Sequence, residues 1–231
     1  MPKFRRPENC ANCPYKSKAF SFLSKEELKE IQKNCLSINF KKGENICKQG
    51  TKATNTLYIS NGLAKIYIEG RNRNIILKLV PAGQFVGLHT IFYESQLYNF
   101  SLTAIEDTTV CMINADFFRE FVQKNPEFMN AMMGIVSSCS RLTFDVIYSL
   151  IEKSARGRLI DVIMYMAEEV YNSYEFDLPV TRKELAELCF LSTENTVRIL
   201  SELRKEKLLA LNGRHIKILQ PDLLQQLSNI S

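Results

Sequence analysis

The sequence predicts an α+β chain in three successive parts, and three observations carry that prediction. Between residues 38 and 114, short β-rich segments are punctuated by Gly43, Gly50, Gly62, Gly70 and the stretch from Pro81 to Gly83. Many short strands at close spacing suggest a sandwich or barrel-like roll. After residue 115 the pattern turns helical, and Phe128, Met132, Ile135, Cys139, Leu142 and Val146 recur at alternating steps of four and three residues, a heptad seam. Near the C-terminus, "RKELAELCFLSTENTVRILSELRKEKLL" holds two amphipathic helical patterns split by three residues, and "LLALNGRHIKIL" follows at once.

Composition bounds the function. A length of 231 residues suits two domains of ordinary size, and 45% hydrophobic with 24% charged residues suits a normal core. No apolar run approaches the roughly 18 residues that span a bilayer, and "MPKFRRPENC" is basic without the apolar stretch of a secretory signal. A cytoplasmic protein with no membrane partner is expected. Seven cysteines is an odd count; in a reducing compartment they serve as core filler, metal ligands or redox groups rather than as a disulfide framework. The net charge of +5 is mild, but residues 182–217 carry 8 basic and 5 acidic side chains, just after the cluster Glu168, Glu169, Glu175 and Asp177. Any basic face is therefore local.

Along the chain, "LSKEELKEIQKNC" predicts a short helix, with Ser24 as N-cap and Glu27 three residues later completing a capping box. The β-rich segments follow to residue 114. Residues 115–151 turn helical, and the long helix of "PEFMNAMMGIVSSCSRLTFDVIYSLIE" carries the heptad seam and a neighbouring stripe of Met129, Met133, Val136, Ile147 and Leu150. That pattern predicts burial on two sides, one by the β-rich part and one by a second subunit. Residues 154–171 suggest another helix, with Leu159, Val162, Ile163 and Met166 inward, ended by "NSYEFDLPVT".

Thr181 and Glu184 form a second capping box, opening a helix from about Arg182 to Cys189. "FLS" is the turn, and Ser192 caps a second helix running to about Lys207. Leu185, Leu188, Val197, Leu200 and Leu203 are expected to share one small core, with Ala186 where the helices cross. This is the helix-turn-helix pattern, whose second helix enters the DNA major groove with its N-terminal residues toward the bases. Glu194 and Arg198, four residues apart, share a face. Arg can donate twice to guanine and Glu can accept from cytosine N4, although such pairs also form plain surface ion pairs. "LLALNGRHIKIL" then predicts a hairpin around Asn212–Gly213, so that the motif is winged. Arg214, Lys205 and Lys207 are candidate phosphate contacts.

With these residues in place, the chain resembles the Crp/Fnr family of transcription regulators over nearly its whole length. "LSTENTVRIL" is similar to the family's recognition helix and "GQFVG" to its β-roll turn. The resemblance implies a β-roll effector domain over 1–122 (a cyclic-nucleotide-binding-like jelly roll), a dimerisation helix over 123–152 and a winged helix-turn-helix over 153–231. It implies a homodimer that binds double-stranded DNA and meets RNA polymerase, with base contacts from Glu194 and Arg198. Arg182, Thr193, Val197, Lys205 and Arg214 complete the candidate DNA-binding set. Phe190 departs from the family's turn glycine, and a slightly altered turn is expected.

The same resemblance bears on the signal. Cyclic-nucleotide-binding members carry a Glu for the ribose and an Arg-Ser pair for the cyclic phosphate. Here Leu88 stands at the first place and Tyr98 and Asn99 at the second, which argues against cyclic AMP, since a buried phosphate needs a cation or an anion nest. His89 completes the candidate pocket with Leu88, Tyr98 and Asn99, and it could be an axial ligand to haem, as in gas-sensing relatives; a lone His is more often structural or exposed. Oxygen-sensing members hold an Fe–S cluster on four cysteines. Cys10, Cys13 and Cys111 match three of those places and Ala19 stands at the fourth. The cofactor is left open: small buried cysteines, a cluster, zinc or a thiol redox site all fit. Cys35, Cys47, Cys139 and Cys189 read as core. A signal-binding module acting on a partner protein is the alternative class. An enzyme lacks support, because no phosphate-cradling Gly loop or Ser/His/Asp grouping is present and a lone "CANC" is a weak redox motif.

Overall fold

The computed structural model describes residues 4–5, 13, 16–71, 73–93 and 95–230. The chain divides into two compact units, Met1–Arg71 with Lys78–Arg141 and Asn72–Leu77 with Leu142–Ser231, so that the division falls inside the long helix.

The first unit is built on two antiparallel sheets. Strands β1 (Phe4–Arg5), β2 (Cys35–Phe40), β9 (Thr108–Asn114), β4 (Asn55–Asn61) and β7 (Phe85–Val86) lie side by side in that order, and β3 (Asn45–Cys47), β8 (Ser101–Ala104), β5 (Leu63–Ile68) and β6 (Ile75–Pro81) form the second sheet. Alternation along the five-stranded sheet decides what each face buries. Leu57, Ile59 and Val110 point into a core shared with Ala64, Val80 and Leu102 of the other sheet. Cys35, Tyr58, Phe85 and Ile113 point the other way, under four helices: α1 (Lys25–Lys33), α2 (Leu88–Phe92), α3 (Ala115–Lys124) and the start of α4 (Pro126–Glu152).

Local sequence explains the helix ends. Ser24 and Glu27 make the expected capping box of α1, with the Ser24 amide donating to Glu27 Oε2 at 2.7 Å. Pro126 cannot continue α3 but suits the first position of a new helix. Asn125 closes that joint: its Oδ1 accepts from the Phe128 amide at 3.0 Å, and its Nδ2 donates to Phe22 O and Glu27 Oε1.

The seam on α4 is divided between two environments. Phe128 and Met132 are buried in the helix-side core of their own unit, with Ile135 and Val136 packed against it. Burying a side chain of this size contributes about 1.5–3 kcal/mol, so these two positions are already satisfied within one chain and are not free for a second subunit. Further along, Leu142, Phe144, Ile147, Tyr148, Leu150 and Ile151 are exposed, Phe144 at 70% and Ile151 at 73%. Cys139, expected in a core, is exposed as well, because it lies past the point where the β-roll covers the helix.

The second unit contains α5 (Ala155–Tyr165), a π-helical turn at Met166–Tyr171, β10 (Glu175–Asp177), α6 (Arg182–Leu188), α7 (Thr193–Lys205), β11 (Leu209–Asn212), β12 (His215–Ile218) and α8 (Pro221–Ile230). Leu159, Ile163 and Met166 are buried as the periodicity predicts, while Val162 is only half-buried. The strands form a small sheet in the order β10-β12-β11. A cluster of polar groups ties the end of α4 to this unit: Lys153 Nζ reaches both Asp161 carboxylate oxygens, at 2.9 and 2.7 Å, and Ser228 Oγ at 2.8 Å.

Candidate nucleic-acid interface

The two helices of the motif are set by their caps. Thr181 and Glu184 form the second capping box, with the Thr181 amide donating to Glu184 Oε2 at 2.8 Å. At the other end of α6, the Leu191 amide donates to Ala186 O at 2.9 Å and the Phe190 amide to Glu187 O at 3.3 Å. This pair of bonds is a Schellman motif, which needs a left-handed residue at its centre. Phe190 takes that conformation at φ +57°. The expected alteration of the turn is therefore absent: the backbone keeps the geometry that glycine favours, and Phe190 carries a cost of about 1–2 kcal/mol to do so. Arg158 braces the same turn, donating from Nε to Cys189 O at 3.1 Å and from Nη1 to Lys153 O at 2.9 Å.

Ser192 caps α7 by accepting from the Asn195 amide at 3.2 Å. One face of α7 buries Thr196, Ile199, Leu200 and Leu203, alongside Leu185, Ala186 and Leu188 of α6. Val197 is not part of that core. It is 44% exposed, because Thr196 and Ile199 occupy the inward positions around it. Thr193, Glu194, Val197 and Arg198 are all exposed, as positions i, i+1, i+4 and i+5 of one helical face. Arg198 is held from within its own helix, with Nη1 2.5 Å from Glu202 Oε1 and Nη2 donating to Asn195 Oδ1 at 2.7 Å. Its acidic partner is thus Glu202, one turn later, rather than Glu194.

The hairpin follows α7 after a second Schellman turn. The Leu208 amide donates to Leu203 O at 3.0 Å, and Lys207 is left-handed at φ +57°. Asn212 pairs with His215, so the two loop residues are Gly213 and Arg214, one position later than the Asn212–Gly213 turn expected. Gly213 sits at φ +59° and supplies the positive φ that tight hairpins require.

Two arginines meet at this turn. Arg214 donates from Nε and Nη2 to Leu178 O, at 3.0 and 2.6 Å. Arg182, at the start of α6, donates from Nη2 to Gly213 O at 2.7 Å. Burial, and then the charge of Arg214, hold the Arg182 guanidinium below its ordinary pKa, and its Nη1 is buried without a hydrogen-bond partner among the described residues. Lys205 is exposed. On β12, His215 lies between Asp177 (2.9 Å) and Glu175 (3.1 Å), which raise its pKa.

The candidate effector residues divide between two cores and the surface. Leu88 packs into the helix-side core rather than toward a ribose site, and Tyr98 packs into the core between the sheets. Tyr98 donates its hydroxyl to Asn55 O at 2.6 Å and lies edge-on to Phe100. His89 is exposed and shares a hydrogen bond of 3.0 Å with Asn99. Of the three candidate cluster cysteines, Cys10 lies outside the described residues. Cys13 is partly exposed, and Cys111 on β9 hydrogen-bonds Cys35 of β2. Among the described residues no three His, Cys, Asp or Glu side chains are grouped to hold a metal ion, and no helix is long and apolar enough to cross a membrane.

Comparison with known proteins agrees with the fold and the motif. The cyclic nucleotide-binding domain model matches residues 37–125 and the Crp-like helix-turn-helix domain model matches residues 157–227. The chain is 27% identical to the fumarate nitrate reduction regulatory protein of Klebsiella oxytoca over 228 residues, covering 95% of this chain and 90% of that protein. It is 24% identical to transcriptional activator protein FnrL of Cereibacter sphaeroides, covering 90% and 86%. Among solved structures, FixK2 from Bradyrhizobium japonicum superposes with a TM-score of 0.76 at 19% identity, over 84% of this chain and 96% of that one. A CooA mutant from Carboxydothermus hydrogenoformans gives 0.72 at 18%, over 97% and 98%; at such identities the likeness speaks for the fold. A β-roll, a long helix and a winged motif presenting one polar face, each matched in order along the chain, place this protein in the Crp/Fnr family of DNA-binding transcription regulators, which are not enzymes.

Proposed function

We propose that the protein acts as a homodimer that reads a two-fold symmetric DNA site and responds to a signal other than cyclic AMP. The observation that carries this reading is the outward face of α7, where Thr193, Glu194, Val197 and Arg198 stand together at the N-terminal end of the second helix. Arg198 donates to guanine O6 and N7, Glu194 accepts from cytosine N4, and Val197 offers an apolar contact to a thymine methyl. Arg182, Lys205 and Arg214 contact phosphates.

The exposed run from Leu142 to Ile151 supports dimerisation through α4. A contiguous apolar stripe of this kind marks an interaction surface, and a two-fold dimer would set its recognition helices about 34 Å apart, one duplex turn. Contact with RNA polymerase at the promoter completes the reading.

Against cyclic AMP stands the chemistry of the β-roll. Tyr98 occupies the place of a phosphate-binding Arg, and burial keeps its phenol neutral by pushing its pKa up. A buried phosphate is best held by a charge-assisted bond from a guanidinium, and Tyr98 and Asn99 are neutral. The test is selection of bound duplexes from a randomised pool, with and without cyclic AMP. The reading expects a palindrome enriched equally in both; loss of enrichment without the nucleotide would overturn the effector part, and an asymmetric site the dimer part.

A further inference from the structure

The two thiols of Cys35 and Cys111 are brought together by sheet register. Strands β2 and β9 pair antiparallel with Ser37 opposite Cys111 and Cys35 opposite Ile113. Cys35 is therefore one diagonal step from Cys111 on the same face of the sheet. Cys111 hydrogen-bonds the Cys35 thiol and the hydroxyls of Ser60 and Ser37. Cys111 is partly exposed and Cys35 is 2% exposed, so Cys111 is the more accessible residue of the pair.

We propose that Cys111 and Cys35 form a peroxide-oxidisable pair, with Cys111 as the attacking thiol and Cys35 as the resolving one. In the first step the Cys111 thiolate attacks one oxygen of hydrogen peroxide. The S–O bond forms, the O–O bond breaks, and the departing hydroxide takes up a proton to leave as water, giving a sulfenic acid. In the second step Cys35 sulfur attacks Cys111 sulfur. The S–S bond forms, the S–O bond breaks, and the leaving hydroxide takes the Cys35 thiol proton to become water. Two thiols are oxidised to one disulfide and peroxide is reduced to two waters. A dithiol reductant reverses the change by exchange.

A disulfide brings its Cβ atoms to about 3.5–4.5 Å, closer than diagonal neighbours ordinarily sit. Closing it moves β2 against β9. Cys35 belongs to the same core as Phe118, Phe128 and Met132, with Cys111 packed against it, so the movement is felt where α4 starts. The pair needs neither the DNA-reading proposal nor a metal to be correct, and its test is chemical.

The test uses the full chain, reduced, freed of reductant and exposed to hydrogen peroxide near stoichiometry. The remaining thiols are then alkylated in denaturant, the protein is digested and its peptides are mapped by mass. The expected product is a Cys35 peptide joined to a Cys111 peptide, released by dithiothreitol. In Cys35→Ser the reaction should stop at a sulfenic acid on Cys111, trapped by dimedone, and in Cys111→Ser Cys35 should stay alkylatable. A disulfide from Cys111 to Cys10 or Cys13, or oxidation of exposed Cys139 while Cys111 stays alkylatable, would overturn the proposal. The wild-type map decides the matter even if a variant fails to fold.

Discussion

Arg198 and Glu202 form an ion pair along α7, with Nη1 to Oε1 at 2.5 Å. The guanidinium that would read guanine is therefore partly engaged in the free protein, and Glu202 competes with the base for it. An exposed pair one turn apart on a helix is worth about 0.3–0.5 kcal/mol. Glu202→Gln should free Arg198 and tighten binding to the cognate site by roughly twofold, at about 1.4 kcal/mol per tenfold. Fluorescence anisotropy at fixed salt checks this; weaker binding would show that Glu202 orients Arg198 instead of competing for it.

Charges placed on the exposed part of α4 should dissociate the dimer. Ile147→Asp and Ile151→Asp together would bury carboxylates at an apolar contact, and sedimentation should give the monomer mass with the β-roll intact. Met132→Asp should act differently and unfold the β-roll, because Met132 lies in the core of its own unit.

The left-handed turn after α7 predicts a gain in stability. Lys207 sits at φ +57°, where a side chain costs about 1–2 kcal/mol that glycine avoids. Part of this is lost to the greater freedom of glycine in the unfolded chain. Lys207→Gly should raise the calorimetric Tm of the second unit, by about 0.5–1 kcal/mol of stability. An unchanged or lowered Tm would mean that the lysine side chain contributes more than its backbone costs.

His215 predicts a pH dependence. Asp177 first, then Glu175, raise its pKa above 6.5. A raised folded pKa means that this contribution is fully present below the unfolded value near 6.5 and is lost as pH rises through the folded value. Proton NMR should place the His215 titration above 6.5, and Asp177→Asn should lower it. A midpoint at or below 6.5 in the wild type would contradict the contacts on β12.

Much of the fold was legible because local signals act over a few residues. The capping boxes Ser24/Glu27 and Thr181/Glu184 and the cap Ser192 each depend on a side chain and an amide three positions apart. What escaped depends on partners far along the chain. The heptad pattern predicted that one side of the long helix meets the β-rich part, but not that Phe128 and Met132 of the seam itself would be consumed there, since that packing comes from residues as distant as Phe20. Helix α8 and the three-residue strand β10 are too short or too weakly patterned to stand out. Leu88 and Tyr98 sit near each other in sequence but serve opposite faces of the five-stranded sheet. In the candidate interface, the spacing of Glu194 and Arg198 suggested a pair, yet Arg198 had a second acid at the same distance on its other side. Cys35 and Cys111 are joined by a register that no local pattern encodes.

The central claim, that α7 reads bases through Arg198, is tested most directly by comparing Arg198→Ala with Lys205→Ala across single-base-pair variants of the selected site and a range of salt. Arg198→Ala should cost about 1–3 kcal/mol on the cognate half-site and flatten discrimination at one G·C pair. Lys205→Ala should weaken every sequence alike and lower the salt slope by roughly one. Equal losses from both substitutions, independent of sequence, would contradict the account and assign Arg198 to phosphate alone.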